Sequence, residues 1–377
     1  MIYLDNAATG GFKIRAVTDA AENIIRYLSA NPGRSGHRLS VTGAKIVYSC
    51  RERLADFFGG VPEKVIFTKN CTEALNIAIF GTIKKGGKIL TTAFEHNSVL
   101  RPLTKLKQDG LCDFEVINPD SPDDLPGALE NRITDDTYLI IATTASNVTG
   151  QMLPVKKIGE VAKNHGLLFL ADGAQGGGHI PLDIKADNIS LLALAGHKAL
   201  GGIMGSGALL IGDGVEVSPL IYGGTGTESF NLNQPEAYPE KLESGTLNLP
   251  AIAALSEGVR YVKENIDIFP KHLYSMTDRL VSSLQKINGV TVYSAPNKTG
   301  IVSFNIKNLS SGEVADILSD EYDIAVRAGM HCAPLMHKRL NTEDGGTVRA
   351  SLSVQNTSYE VDALSRAVKK IAETIRC

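Results

Sequence analysis

The chain has 377 residues, 43% of them hydrophobic and 21% charged, with 38 Lys and Arg against 41 Asp and Glu for a formal net charge of −3. That balance belongs to a soluble globular protein with room for about two domains rather than to a disordered or fibrous chain. Near-neutral charge without a Lys/Arg block argues against a protein built mainly to hold nucleic acid.

No charged and apolar leader opens the chain, and Met1-Ile2-Tyr3-Leu4-Asp5 reads as a mature start. Val17, Ala21, Ile24 and Leu28, then Val47, Cys50, Leu54 and Phe58, recur at the spacing of a buried helical face. From about Lys64 onward, short apolar runs alternate with helical patterns. The runs are Val65-Phe67, Lys88-Thr92, Phe114-Ile117, Tyr138-Thr143, Leu167-Leu170, Ser190-Ala193 and Gly207-Ile211. Their hydrophobicity is continuous rather than alternating, as in parallel strands covered on both faces. Helical patterns such as Asn97 to Lys107 and Val155-Ile158-Ala162-His165 lie between them, which predicts crossover connections and a mainly parallel sheet.

The stretch from Ile189 to Ile211 is mostly apolar, but five glycines break it, and Lys198 within it would be costly in lipid. It reads as soluble core, and no membrane association is expected. Beyond Ile252 come long helices and a few strands, notably Thr291-Tyr293 and Ile301-Ile306. Thr357-Ser-Tyr-Glu360 has capping-box spacing and opens a last helix with the stripe Val361, Leu364, Val368, Ile371 and Ile375. The expected organisation is a large α/β domain over 13–255 and a smaller α+β domain over 256–377, with residues 1–12 packing on the latter. The cysteines Cys50, Cys71, Cys112, Cys332 and Cys377 are odd in number, scattered and free of any C-x-x-C pair. They suggest neither a disulfide framework nor a zinc site, and a reducing cytoplasm fits them best.

Several residues could carry chemistry. Lys198 follows a strand-like run; buried, it would be a nucleophilic amine able to form a Schiff base, although local sequence alone favours a lysine reaching solvent. Asp172 closes Leu167-Leu-Phe-Leu-Ala-Asp172, at the rim where α/β sheets bind ligands. It could cap a helix or hold the protonated pyridine nitrogen of pyridoxal phosphate, and the two readings are equal until Lys198, one strand on, is considered. Asn70-Cys71-Thr72-Glu73 lies at a strand-to-helix turn, suited to a phosphate or simply to an ordinary capped helix. The glycine clusters do not match a dinucleotide fingerprint. Cys332 sits in a loop bounded by Gly and Pro, where a thiol is accessible and reactive. His331 and His337 beside it lack a second ligand cluster, so no metal is assigned.

In order and spacing these segments resemble the class V aminotransferase group of fold-type I pyridoxal-phosphate (PLP) enzymes, and within it the short-loop branch of the cysteine desulfurases. The resemblance rests on Tyr3-Leu-Asp-Asn-Ala-Ala8, Asn31-Pro-Gly-Arg-Ser-Gly-His37, Phe67 to Glu73, Glu95-His96-Asn97-Ser98, Ser146-Asn147-Val-Thr-Gly150 and Asp172-Gly-Ala-Gln175. It continues through Gly196-His197-Lys198, Gly223-Gly-Thr-Gly-Thr227, Glu243-Ser-Gly-Thr246, Arg327 to Pro334 and Val348-Arg349-Ala-Ser-Leu352.

The resemblance implies a mainly parallel seven-stranded sheet in the large domain and a homodimer. It implies that Lys198 is the Schiff-base lysine and proton shuttle, that Asp172 pairs with the pyridine nitrogen and Gln175 with the phenolate oxygen, and that His96 stacks on the ring and moves a proton. It further implies a phosphate cup at Cys71 and Thr72 with His197 adding a donor, and Thr227 or Thr225 reaching a phosphate across a dimer interface. Asn147 and Arg349, with Asn6 nearby, would hold the substrate carboxylate. Cys332 would take sulfur from L-cysteine as a persulfide, leaving alanine, before handing it to an acceptor protein.

Ala195 stands where Ser is frequent in the family, and Met330 replaces the first His of a frequent His-His-Cys. The rival expectations are a selenocysteine lyase, another class V transaminase or lyase in which Cys332 is incidental, and a non-catalytic sulfur or metal carrier.

Overall fold

A computed structural model describes residues 1–33 and 35–374. Arg34, Ile375 and Cys377, each named above, lie outside the described residues.

The seven apolar runs become one seven-stranded sheet, in the order Val65–Thr68, Gly207–Ile211, Leu191–Ala195, Leu168–Asp172, Thr137–Thr143, Lys88–Thr92, Asp113–Ile117. Only Gly207–Ile211 runs antiparallel to its neighbours. The continuous hydrophobicity has a direct cause. Along Leu191–Ala195 the side chains of Leu192 and Leu194 enter one core, while those of Leu191, Ala193 and Ala195 enter the core on the opposite face. Thr137–Thr143 divides in the same way, Ile140 and Ala142 on one face and Leu139 and Ile141 on the other. Successive strand residues alternate faces, so a strand covered on both sides can have no polar face. The stretch from Ile189 to Ile211 is thus a strand, a glycine-rich turn and an antiparallel return strand. No described helix is long and apolar enough to cross a membrane.

A second, antiparallel sheet orders Arg327–Gly329, Thr347–Ser351, Ile301–Ile306 and Val290–Val292. Its core draws on helices Phe269–Leu284, Ser311–Tyr322 and Ser358–Thr374, and on Leu4. The N-terminal strand Ile2–Tyr3 pairs in parallel with Ile324–Ala325. The following turn then crosses to the large sheet, where the Gly10 N–H donates to the His197 carbonyl at 3.0 Å.

The last helix starts as its sequence suggests but with half a capping box. Glu360 accepts from the Thr357 N–H at 2.7 Å, while the Glu360 N–H bonds the Thr357 carbonyl instead of its hydroxyl. The complete box is at Ser310 and Glu313, where the periodicity gave no warning. Four described strands also went unread: the two-residue pair Ile2–Tyr3 and Ile324–Ala325, and Arg327–Gly329 and Thr347–Ser351, the last two each carrying an arginine that breaks the apolar pattern.

Candidate active site

Every parallel strand of the large sheet directs its carboxyl end to the same edge, the usual ligand rim of such sheets. Val65–Thr68 leads to Asn70-Cys71-Thr72, Lys88–Thr92 to Glu95 and His96, Thr137–Thr143 to Asn147, Leu168–Asp172 ends on Asp172, and Leu191–Ala195 leads to His197 and Lys198. One cavity is lined by Cys71, Thr72, His96, Asn147, Asp172, Gln175, His197 and Lys198 together. Gly207 permits this convergence. A Cβ there would meet the Asn70 backbone at 2.7 Å, so any larger residue would push the Asn70 turn off the sheet.

Asp172 is 2% exposed, and its Oδ1 accepts from the Ala174 N–H at 2.9 Å and from the Cys71 thiol at 3.4 Å. The carboxylate therefore serves its own turn through one oxygen, leaving Oδ2 for another donor. Burial pushes the Lys198 ammonium below its ordinary range, partly opposed by Cys71 and Asp172. Lys198 is half-buried and lines this cavity. Its turn is pinned from the N-terminal segment, since Lys13 Nζ donates to the His197 carbonyl at 3.1 Å and Thr9 Oγ1 lies 3.1 Å from His197 Nδ1. Burial lowers His197 to about 4.

His96 caps helix Asn97–Gln108, with Nδ1 accepting from the Ser98 N–H at 3.0 Å. Burial outweighs Asp172 and lowers its pKa to about 4, so the imidazole is neutral at pH 7. A neutral ring that accepts at Nδ1 carries its proton on Nε2. His96 is thus a fixed Nε2–H donor at the cavity wall.

At the turn before helix Cys71–Gly81, Asn70 Oδ1 takes the Glu73 N–H and the Asn70 carbonyl takes that of Ala74. The N–H groups of Cys71 and Thr72 are left at the positive end of the helix dipole, with the Thr72 and Ser98 hydroxyls 2.8 Å apart beside them. Gln175 donates to the Ala7 carbonyl at 3.1 Å. Ala195 lines the same cavity with only a methyl group.

Cys332 lines an adjoining open cleft that shares Thr72, His96 and Ser98 with the cavity. Arg349 lies behind them, 1% exposed, donating through Nη1 to the Asn147 carbonyl and through Nη2 to Asp5 Oδ1, both at 2.9 Å. Its Nε and the Asn147 Oδ1 are buried without a protein partner. Asn6 braces rather than faces this cavity. It donates to the Ser351 carbonyl at 2.9 Å and accepts from the Gly11 N–H, and it lines a separate hollow that touches Lys198. Thr227 stands apart within one chain, on an exposed loop over a different hollow that includes Arg51 and Glu243.

Two functional neighbours escaped the sequence. Glu95, wholly buried, ties strand ends together by accepting from Thr92 Oγ1 at 2.5 Å and from the Thr143 N–H at 2.9 Å. Burial pushes its pKa up to about 8. Asp5 is the counter-ion of Arg349. A carboxylate directly before His96, and another before Asn6, were the available signals, but nothing local separates them from solvent-facing acids.

Residues 2–364 match the family model of class-V aminotransferases. The chain belongs to that family. It is 34% identical to a probable cysteine desulfurase of Methanothermobacter thermautotrophicus, over 98% of this chain and 94% of that protein. It is 31% identical to the cysteine desulfurase IscS of Methanosarcina thermophila, over 100% and 93%. Among solved structures it superposes on an apo cysteine desulfurase from Thermococcus onnurineus with a TM-score of 0.91 at 31% identity, covering 99% and 95% of the two chains. The cysteine desulfurase CsdA of Escherichia coli gives 0.88 at 26%, covering 99% and 94%.

Proposed function

We propose that this class-V aminotransferase is a pyridoxal-phosphate-dependent cysteine desulfurase that forms a persulfide on Cys332. The observation that carries the reading is the opening of the Cys332 cleft onto the cavity that already joins Asp172, His96 and Lys198.

The donor set suits the cofactor. Asp172 has an oxygen left for a pyridinium N–H, the helix at Cys71 has free N–H groups for a phosphate, and Lys198 is a desolvated amine for an aldehyde. The orphaned Arg349 Nε–H and the Asn147 Nδ2–H not given to the His331 carbonyl are donors that suit a carboxylate. Bound there, the cofactor supplies an electron sink for the pair left at the substrate Cα.

The chain's own groups do the rest. Arg349 and Asn147 orient the substrate by its carboxylate, and Lys198 moves the proton at Cα. His96 presents its Nε2–H where a proton must be delivered. The Cys332 thiolate takes the sulfur, so that L-cysteine and one thiol become L-alanine and one persulfide, with atoms and electrons balanced. On this reading residues 13–255 form the cofactor domain, and residues 256–377 with 1–12 form the smaller one. Two copies pair so that Thr227 of one reaches the phosphate of the other, and a cytoplasmic acceptor protein takes the sulfur.

The test is release of alanine and sulfide from L-cysteine with PLP and a reductant, in wild type and Cys332→Ala, with L-selenocysteine in parallel. Wild type should release both products, and the variant should lose at least about 100-fold in rate. Activity on selenocysteine alone would make the protein a lyase for that amino acid. Equal activity in Cys332→Ala would remove the persulfide.

A further inference from the structure

His331 and Cys332 are consecutive side-chain-bearing residues with φ of 46° and 57°. Both lie in the left-handed region, which disfavours any residue with a Cβ, so the loop needs outside support to keep this shape. The support is specific. Asn147 Nδ2 donates to the His331 carbonyl at 2.6 Å, a buried bond between residues 184 apart in sequence. The Asn97 N–H donates to the Cys332 carbonyl at 2.8 Å, and the His331 ring lies 3.0 Å from the Thr347 carbonyl. Asn147 also accepts from Arg349 through its own carbonyl, and its side chain lines the cavity.

From this geometry we infer that Asn147 is a positioning residue for Cys332: its amide latches the His331 carbonyl and thereby holds the thiol at the mouth of the cleft. The inference rests on the function proposed above for the value of holding Cys332 there, but the latch itself can be tested without cofactor. Asn147 thus ties three parts together, the arginine behind the cavity, the cavity wall and the loop that carries the thiol. The short loop works as a strained, clamped presenter of sulfur, and the clamp is made of side chain to backbone bonds that one substitution can cut. The second N–H of the same amide remains for a substrate carboxylate, whose arrival and the seating of the thiol then depend on one group.

The experiment is alkylation of the apoprotein by iodoacetamide, followed cysteine by cysteine, in wild type, Asn147→Asp and Asn147→Ala. Asn147→Asp keeps the shape but sets an acceptor against the His331 carbonyl. Cys332 should react about tenfold faster in both variants, the equilibrium equivalent of one lost hydrogen bond of about 1.4 kcal/mol. Cys50, Cys71 and Cys112 are buried and should stay protected. An unchanged Cys332 rate overturns the latch. Equal acceleration at all four cysteines also overturns it, because Asn147 would then support the fold generally. Neither result bears on the desulfurase reading, which stands or falls with Cys332→Ala.

Discussion

The two walls of the site are built on different principles. The wall proposed to hold the cofactor, with Asp172, His96 and Lys198, hangs from strand ends along one rim, and its groups are fixed by short-range turns and caps: Asp172 on Ala174, His96 on Ser98. The sulfur wall, with Arg349, Asn147 and Cys332, is held by bonds between residues hundreds of positions apart. It retains buried polar atoms without protein partners and two residues in the left-handed region. The first wall inherits its rigidity from the sheet ladder, and its turns and caps are formed before any ligand arrives. The sulfur wall is complete only when a ligand supplies the missing partners, so it is the part that substrate identity can tune.

Cutting the rigid wall should cost most. Asp172→Asn keeps the turn's acceptor but removes the charge proposed to face the cofactor's pyridine nitrogen, and alanine formation should fall by about 1,000-fold in kcat/KM. The spectrum of added cofactor would be measured alongside. A variant that keeps wild-type turnover would show that the carboxylate only caps its turn, the alternative that its sequence context left open.

That ambiguity marks what sequence can and cannot carry. The central strands of the large sheet were readable because burial on both faces leaves uninterrupted apolar runs, whereas the edge strand Asp113–Ile117 is only partly covered; the bounds of all seven strayed by only a residue or two. The apolar run Leu167-Leu170, for instance, corresponds to the strand Leu168–Asp172. Asp172 and Lys198 were visible because strand ends of such sheets meet at one rim. The arginine strands at 327–329 and 347–351 were not, since in each an arginine breaks the apolar pattern that marks a strand; Arg349 can be buried because Asp5 and the Asn147 carbonyl accept from it. Glu95 and Asp5 were invisible for the same reason: their partners lie 48 and 344 residues away. Asn6, named for the substrate by resemblance, bonds the Ser351 carbonyl and the Gly11 N–H and lines a hollow that Lys198 also lines, a placement that only the fold reveals.

On the sulfur wall, Arg349→Lys should act on binding more than on turnover. Lysine cannot span Asp5, the Asn147 carbonyl and a carboxylate at once, because it lacks the planar fork. Losing charge-assisted bonds of about 2–3 kcal/mol raises KM for L-cysteine by roughly 30- to 150-fold with a much smaller change in kcat. A kcat collapse at constant KM would instead place Arg349 in the chemistry and blur the division between the two walls.

The smallest expected effect concerns the strut behind the rigid wall. Glu95 is raised to about 8 from an ordinary 4.5, so between those pH values the unfolded chain has shed its proton while the folded one keeps it, and stability falls as pH rises. The buried histidines act in the opposite sense. His96 and His197 are lowered to about 4 and His331 to about 3 from 6.5, so their contribution is lost as pH falls below 6.5. Together they place maximal stability of the apoprotein near pH 6.5, with the Glu95 limb removing about 2 kcal/mol between there and pH 8. In Glu95→Gln that alkaline limb should flatten while the acid limb stays, as read from thermal unfolding across pH 5 to 8. The amide oxygen can still accept from Thr92 and Thr143, so the strand ends remain tied. The same alkaline decline in both proteins would mean that Glu95 is ionised in the fold, and that the strut carries a charge into the rigid wall.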